Sequence, residues 1–404
     1  MARRSAIIVG SGVGGLTLAG MLTRHDWDVT VLERSAERRD GLAITIWPNA
    51  LCAVRRAGGE DMYQALLKVC QPIALARMFG SGGRRLAALD LGFLQETYGV
   101  TGQGVTRAEL LDTLIEQAGT DVRFGAGVVR AAPDGTVTLA GGEQLRADVV
   151  VGADGVGSTV RRGLLPPGHD DRRDNPLESW QGVVGRGGAW TYQGTDFHFG
   201  RKGTCGIMPL TGDRVYWFVD GSIDEPPTGE GWPDVVRELV SRTPADQLFP
   251  GQAWDRRPVR DWGRGRITLL GDAAHPILPT IGQGACMAME DAGVLAARLV
   301  RSTDLPAALR AYESDRHPRV LGHFERARGM LRMRAMPAPL RDRVLASMPR
   351  PLLTRLFTRS ALPLPEFRRP GCIHGPRVRI SSGEDGGPAT AAADAGSTRH
   401  GETP

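Results

Sequence analysis

The sequence predicts an α/β fold: a helix-covered parallel sheet, a second and mostly antiparallel β-sheet inserted into it, and helices at the C-terminal side. Three observations predict it. A short β-rich run at 6–9 passes through glycines directly into a helical stretch, the middle of the chain changes to short alternating strands, and a strand–glycine–helix texture returns near 266–301. A chain of 404 residues exceeds one ordinary core, so two or three packed units are expected. With 41% hydrophobic and 24% charged residues, a mostly disordered chain and a polytopic membrane protein are both excluded.

The first strand is Ala6-Ile7-Ile8-Val9, and the helix after it carries Leu16, Leu18, Ala19, Met21 and Leu22. A second strand, Asp28 to Leu32, ends at Glu33 and completes a βαβ unit, which requires a parallel sheet. A hairpin is expected from Thr136–Leu139 through Gly141-Gly142 and back into 148–151. From about Ser179 to Asp220 the segments "DFHFGRKG", "CGIMPL" and "RVYWFVDG" alternate as half-buried strands do. The α/β texture resumes with a strand at 266–270, "GDAAHP", and a helix from about Ala285 to Arg301. Residues 305–359 read as helices interrupted by Pro318, Pro337, Pro339, Pro349 and Pro351. Within them Phe324 to Met336, with Arg326, Arg328, Arg332 and Arg334, reads as a solvated, packed helix rather than a membrane contact. The last stretch, 381–404, lacks large apolar residues and is expected to be disordered.

Charge and cysteine usage narrow the function. The net charge is +5, but the cations are scattered, only Lys68 and Lys202 are lysines, and no basic stripe interleaves with aromatics, so no nucleic-acid partner is expected. Cys52, Cys70, Cys205, Cys286 and Cys372 are odd in number and form no Cys-x-x-Cys pair, which supports neither a disulfide framework nor a zinc site. A reducing, cytoplasmic location is expected. No apolar run approaches the roughly 18 residues of a membrane span, so no stable membrane association is expected. Glycine, at 54 residues, is about twice its average share. It follows no collagen period, so the excess belongs to turns and to backbone that something approaches closely.

Gly10-x-Gly12-x-x-Gly15 lies between the first strand and first helix, where glycines allow a tight turn, close approach of a pyrophosphate and close helix–sheet packing. Glu33 stands eighteen positions past Gly15 at a strand end, where a carboxylate accepts from ribose hydroxyls. Together these point to a dinucleotide, without distinguishing FAD from NAD. Asp272 follows a strand and a glycine, so its carboxylate is placed either for a cofactor hydroxyl or as a helix cap. Gly282-Gln283-Gly284 opens the next helix, whose free N–H groups favour negative charge. Asp154 is open to two readings, a ligand contact or its own turn; Arg107 likewise, as a cofactor contact or a surface cation.

The segments "IIVGSGVGGL", "DVVVGADGVGSTVRR" and "GRITLLGDAAHPILPTIGQGACMAMEDAG" occur in the order and spacing of a known family. The chain resembles single-component FAD-dependent aromatic monooxygenases, the para-hydroxybenzoate and salicylate hydroxylase-like family, in a short form without a thioredoxin-like C-terminal domain. "GLAITIWPNAL", "VTRAELLDTL" and "LRAYESDRHPRV" extend the resemblance over about residues 5–320. It implies a Rossmann-like FAD-binding domain at 1–75, 100–178 and 263–325, a substrate-binding β-sheet domain at 76–99 and 179–262, and a helical segment at 326–380. It further implies that Gly10, Gly12, Gly14, Gly15, Glu33, Arg34, Ala43, Asn49, Arg107, Asp154, Gly155, Asp272, Pro279, Gly282, Gly284 and Ala285 contact FAD.

On the substrate side, period-two geometry puts Phe197, Phe199 and Arg201 on one face of a strand and His198 on the other, while Trp217 alternates with Tyr216 and Phe218. Phe197, Phe199, Arg201, Trp217 and Pro279 are the expected substrate contacts. Arg201 and His275 are the candidate catalytic side chains; a solvated Arg and a packed structural His are the competing readings. The resemblance implies that NADH or NADPH reduces FAD and leaves, and that one atom of O2 passes through a flavin hydroperoxide to an electron-rich aromatic or olefinic small molecule. A reductase or dehydrogenase on the same fold, or a non-catalytic FAD-binding protein, remains the alternative, in a monomer or homodimer. A halogenase is disfavoured because Trp-x-Trp-x-Ile-Pro is absent.

Overall fold

The computed structural model describes residues 3–37, 42–166, 177–187, 190, 192, 194–200, 202–228 and 231–368. Arg201 and the tail at 381–404 lie outside the described residues. Five strands form a parallel sheet in the order Ile267–Leu269, Val149–Gly152, Ser5–Val9, Asp28–Leu32, Val122–Arg123. Ser5–Val9, Val149–Gly152 and Ile267–Leu269 are nearly continuous buried runs, as strands covered on both faces are. The chain leaves Ser5–Val9 for 28–32 on one side and returns at 149–152 on the other. A crevice therefore opens at the carboxyl ends of these strands, where open α/β sheets bind ligands.

The helix Val13–Thr23 is buried from Gly14 to Leu22, packed between Gly284–Arg301 and Arg107–Ala118. Gly14 permits the first of these contacts. A Cβ there would lie 2.4 Å from the Leu270 side chain and 2.9 Å from the Ala288 Cβ.

Thr136–Leu139 pairs antiparallel with Val128–Ala132 and Gln144–Arg146. The expected return strand at 148–151 is thus displaced: the hairpin closes with 144–146, and the chain then crosses into the parallel sheet. Two causes act. Asp148 accepts from the Ser5 N–H at 2.9 Å and Oγ at 3.1 Å, which ties this point to the central strand. Val149, Val150 and Val151 are all fully buried, as suits a strand covered on both faces rather than half of a surface hairpin.

A seven-stranded sheet runs Leu248–Ala253, Leu177–Gly185, Arg214–Asp220, Thr204–Leu210, Thr195–Phe199, Leu75–Phe79, Arg85–Asp90. Every pair is antiparallel except Thr195–Phe199 with Leu75–Phe79. One face carries Cys205, Ile207, Val215, Trp217 and Val219, which form a separate core with the helix Asp234–Arg242. The other carries Phe197, Phe199, Met208, Leu210 and Tyr216 and joins the main core. A small sheet, Ala43–Ile46, Gly102–Thr106 and Gln71–Ile73, packs on Thr204–Leu210 of the seven-stranded sheet and on the helices Arg107–Ala118 and Gly284–Arg301.

The helix Leu305–Arg334 continues through Pro318, where an interruption is expected from sequence. Pro318 and Ser314, whose carbonyl loses its partner to the missing N–H, both lie on the exposed side, so the freed carbonyl is on the side open to solvent. Arg316 and Arg319 hold the opposite side to Glu290 and Asp291. The other prolines do divide the chain: Ala338–Ser347 and Arg350–Thr358 each begin at a proline pair. Arg328 pairs with Asp255 and Arg334 with Asp220, so the end of the long helix is packed. Among the described residues no helix is long and apolar enough to cross a membrane.

Candidate active site

Three loops meet at the crevice: Gly10–Gly12, Asp154–Gly157, and the segment from Gly271 to Gly284. The first turn is dictated by packing at its ends. Gly10 has φ +110°, and a Cβ on it would lie 2.4 Å from the Ala153 carbonyl oxygen; on Gly15 it would lie 2.2 Å from the Gly10 oxygen. Gly12 is different. Its φ is −75°, open to any residue, and a Cβ on it would meet no atom within 4 Å. The chain itself gives no steric reason for glycine there, whereas a group lying against the backbone does. Gly284 has the same open surroundings, and so does Gly155, although its φ of +76° also favours glycine.

The helices Val13–Thr23 and Gly284–Arg301 both begin without a side-chain cap and without an acid in the first turn. Their orphan N–H groups and positive dipole ends are left to whatever occupies the crevice. Arg107–Ala118, by contrast, is closed by Thr106, which accepts from the Glu109 N–H.

Asp272 is exposed, yet burial raises its carboxyl above the usual range against the opposing charges of His275, Arg107 and Arg161. A group bare to solvent at contact but enclosed by protein at longer range sits inside a cleft. Arg107, also exposed, is close enough to act on it. The loop is fixed from behind by Asp291, which accepts from the Gly271 N–H at 3.0 Å and from Arg316 Nε at 2.6 Å. His275 Nε2 lies 2.6 Å from the same carboxylate, with 2% of its surface exposed. Burial raises the Asp291 carboxyl, but His275 and Arg316 outweigh it and hold it at about 2. Through Asp291, His275 braces the Gly271 turn.

Asp154 accepts from the Ser158 hydroxyl and from the N–H groups of Thr159 and Val160, so it caps its own helix, Thr159–Leu164. Glu33 accepts from Ser11 N–H and Oγ and from the Ser35 N–H. Burial opposes its ionisation, but these bonds hold it below the ordinary carboxylate range. Arg34 is exposed beside it. Ala43 is buried in its strand, and Asn49, fully buried, donates to Gln283 Oε1 at 3.0 Å while its own Oδ1 has no partner. Cys286 accepts from the Trp47 N–H at 3.3 Å, and burial pushes its thiol up to about 12, so it is no thiolate.

The inner face of the seven-stranded sheet supplies the substrate side. Phe197 packs edge-on against Phe357 at 5.7 Å, and Phe357 against Trp47 at 6.0 Å. Trp47 Nε1 in turn stands 3.6 Å from where a Cβ of Gly282 would be. One aromatic chain thus links the inserted sheet, a C-terminal helix and the exposed turn from Pro279 to Gly282. Phe199 lies on the same face under the Arg341 guanidinium. Trp217 does not join them: its ring sits in the separate core on the opposite face, with Nε1 donating to Thr243 Oγ1 at 2.9 Å. His198 is also on the far face, stacked on Phe79. Tyr216 is the inner-face counterpart, its hydroxyl donating to Gln181 Oε1 at 2.8 Å. Sequence reading left Trp47, Tyr216, Gln181 and Phe357 out of the site. Trp47 carried a signal in "GLAITIWPNAL"; Phe357 carried none.

Known proteins share this architecture. The chain is 34% identical over 331 residues to an aurachin C monooxygenase/isomerase of Stigmatella aurantiaca, covering 77% of this chain and 85% of that one. It is 32% identical over 342 residues to an FAD-dependent urate hydroxylase of Klebsiella pneumoniae, covering 78% and 86%. The crystal structure of Klebsiella pneumoniae HpxO with FAD and uric acid superposes with a TM-score of 0.80 at 28% identity, over 89% of this chain and 96% of that one. The FAD binding domain model matches residues 3–327, a span that takes in the glycine turn, the inserted sheet and the Gly271–Gly284 segment alike, and the chain belongs to that family.

Proposed function

We propose that this protein is an FAD-dependent monooxygenase that takes electrons from NADH or NADPH and inserts one atom of O2 into an electron-rich aromatic or olefinic small molecule, by hydroxylation or epoxidation. The observation that carries it is an open glycine backbone beside an aromatic wall: Gly12 and Gly284 offer backbone that no side chain of this protein needs, and Trp47 stands at Gly282, continued by Phe357 and then Phe197.

The residues present fit FAD. Gly12 and the first turn of Val13–Thr23 would receive the pyrophosphate, Asp272 and Glu33 would accept from hydroxyls, and Gly284 and Ala285 would present backbone N–H groups to the ring system, while Gly282, whose own N–H goes to the Pro279 oxygen, would offer only its open backbone. Bound FAD supplies the redox chemistry and the activation of O2. The chain orients and dries the site. The aromatic wall holds a flat substrate and excludes water. Burial raises the Tyr216 phenol, so at neutral pH it stays an O–H, donating to Gln181 and offering its oxygen as an acceptor. Asn49 Oδ1, a buried acceptor with no partner among the described residues, is available to a donor on the cofactor. The described cysteines, Cys52, Cys70, Cys205 and Cys286, are buried and form no disulfide with one another, which supports a cytoplasmic setting.

Purified protein should be yellow, carry FAD, and oxidise NADH or NADPH faster when its substrate is added, with a product heavier by one oxygen. A colourless protein that takes up no FAD overturns the reading. Equal anaerobic turnover with another acceptor replaces it by a dehydrogenase.

A further inference from the structure

Eight large hydrophobic side chains are exposed among the described residues, and half of them fall on two consecutive helices. Leu340 and Val344, 51% and 41% exposed, lie four apart on Ala338–Ser347; Leu352 and Leu356, 47% and 49% exposed, lie four apart on Arg350–Thr358. Each pair therefore projects from one side of its helix. Arg343, Arg350, Arg355 and Arg359 are exposed among them, and no acid is exposed anywhere from 335 to 359. Asp342, the one acid of this stretch, is turned inward, accepting from Ser81 N–H and Oγ at 2.8 and 2.9 Å and from Arg341. A chain of net charge +5 thus sets four exposed arginines among four of its exposed aliphatic side chains. Two copies facing each other here would set arginines against arginines, and the exposed face offers no aromatic ring for base stacking. Aliphatic side chains to bury and arginines to meet phosphate are the two requirements of an interfacial helix.

We propose that the helix pair Ala338–Ser347 and Arg350–Thr358 docks reversibly on an anionic lipid surface, Leu340, Val344, Leu352 and Leu356 entering the headgroup boundary and the arginines meeting lipid phosphates. The same helix that presents Leu352 and Leu356 outward carries Phe357 inward against Phe197 and Trp47, so the docked face is one helix away from the aromatic wall. The test is flotation of the FAD-loaded protein with extruded phosphatidylglycerol–phosphatidylcholine vesicles and with pure phosphatidylcholine vesicles. Wild type should float with the first, weakly with the second, and less at high salt. The double variant Leu340→Ser/Leu356→Ser should lose flotation, and Arg343→Glu/Arg355→Glu should lower partitioning to anionic vesicles by about tenfold or more, both retaining wild-type FAD absorbance as proof of folding. No flotation of wild type, or flotation unchanged in both variants, overturns the proposal. So does a concentration-dependent dimer, by light scattering, that the leucine variant abolishes while vesicles go unbound; the face would then belong to a second copy. None of these readouts depends on the oxygenation reaction.

Discussion

Arg161 donates to the carbonyl oxygen of Ala273 at 2.8 Å, a bond that crosses from one loop of the cofactor cleft to another. The same guanidinium reaches the Val156 oxygen at 2.7 Å and the Asp272 oxygen at 3.4 Å, and is 1% exposed. It is a strut under the Asp154–Gly157 and Gly271–Ala274 segments together. Arg161→Ala leaves buried carbonyls without donors and is expected to cost about 3 kcal/mol, with FAD affinity falling at least tenfold as the loops lose their spacing. Arg161→Lys should recover little, because a point cation cannot span both loops. Thermal unfolding and fluorescence titration of FAD read both; wild-type values in Arg161→Ala would show the strut to be idle.

Gly10 and Gly12, two positions apart, should separate folding from binding. Gly10→Ala forces a Cβ to within 2.4 Å of backbone at φ +110° and should destabilise the apoprotein. Gly12→Ala meets nothing in the chain, so apoprotein stability should stay within about 0.5 kcal/mol while FAD binding weakens tenfold or more. Denaturant unfolding of apoprotein beside an FAD titration decides it. Unchanged FAD affinity in Gly12→Ala would remove the pyrophosphate from that turn.

What the sequence showed followed locality. Ser5–Val9, Val13–Thr23 and the turn between them are set by neighbouring residues, so strand, glycines and helix were legible together. Period two separated Phe197 and Phe199 from His198 without difficulty. It said nothing about which face of the sheet meets the cleft, and Trp217 fell on the other side because that choice is made by the helix Asp234–Arg242 packing from outside. His275 and Asp154 carry the residue types of chemistry, and their bonds to Asp291 and to a helix N-terminus, sixteen and five residues away, have a geometry that no motif displays. Phe357 was beyond reach altogether, since its contact with Phe197 closes only when the C-terminal helices fold back over the sheet.

Trp217 and Phe357 should respond oppositely. Trp217→Ala empties a fully buried site in the outer core and is expected to cost about 3–5 kcal/mol, with FAD affinity in the surviving folded fraction unchanged. Phe357, half-buried at the aromatic wall, should cost less when changed to Ala, yet raise the KM for substrate severalfold and uncouple NAD(P)H oxidation from product, because water enters the chamber. Peroxide yield and product mass are the measurements. Tight coupling in Phe357→Ala would move the substrate elsewhere.

Two buried carboxyls should give stability opposite pH dependences. Asp291 is held at about 2, against 3.8 unfolded, so its ionised form stabilises the fold above that range and the benefit disappears as pH falls from 3.8 towards 2. Asp291→Asn should therefore lose roughly 2 kcal/mol at neutral pH and converge on wild type in acid. Asp220 is the reverse: burial outweighs Arg334, 2.8 Å away, and raises its carboxyl to about 6. The folded state then binds this proton more tightly than the unfolded state, and stability falls as pH rises from 3.8 to about 6. Relative to Asp220→Asn, which does not titrate, wild type should lose about 3 kcal/mol across that window. Urea unfolding of both proteins at several pH values checks the sign; a difference that is flat with pH would mean that Arg334 returns Asp220 to its ordinary range, and one that grows as pH rises would mean that Arg334 keeps it ionised.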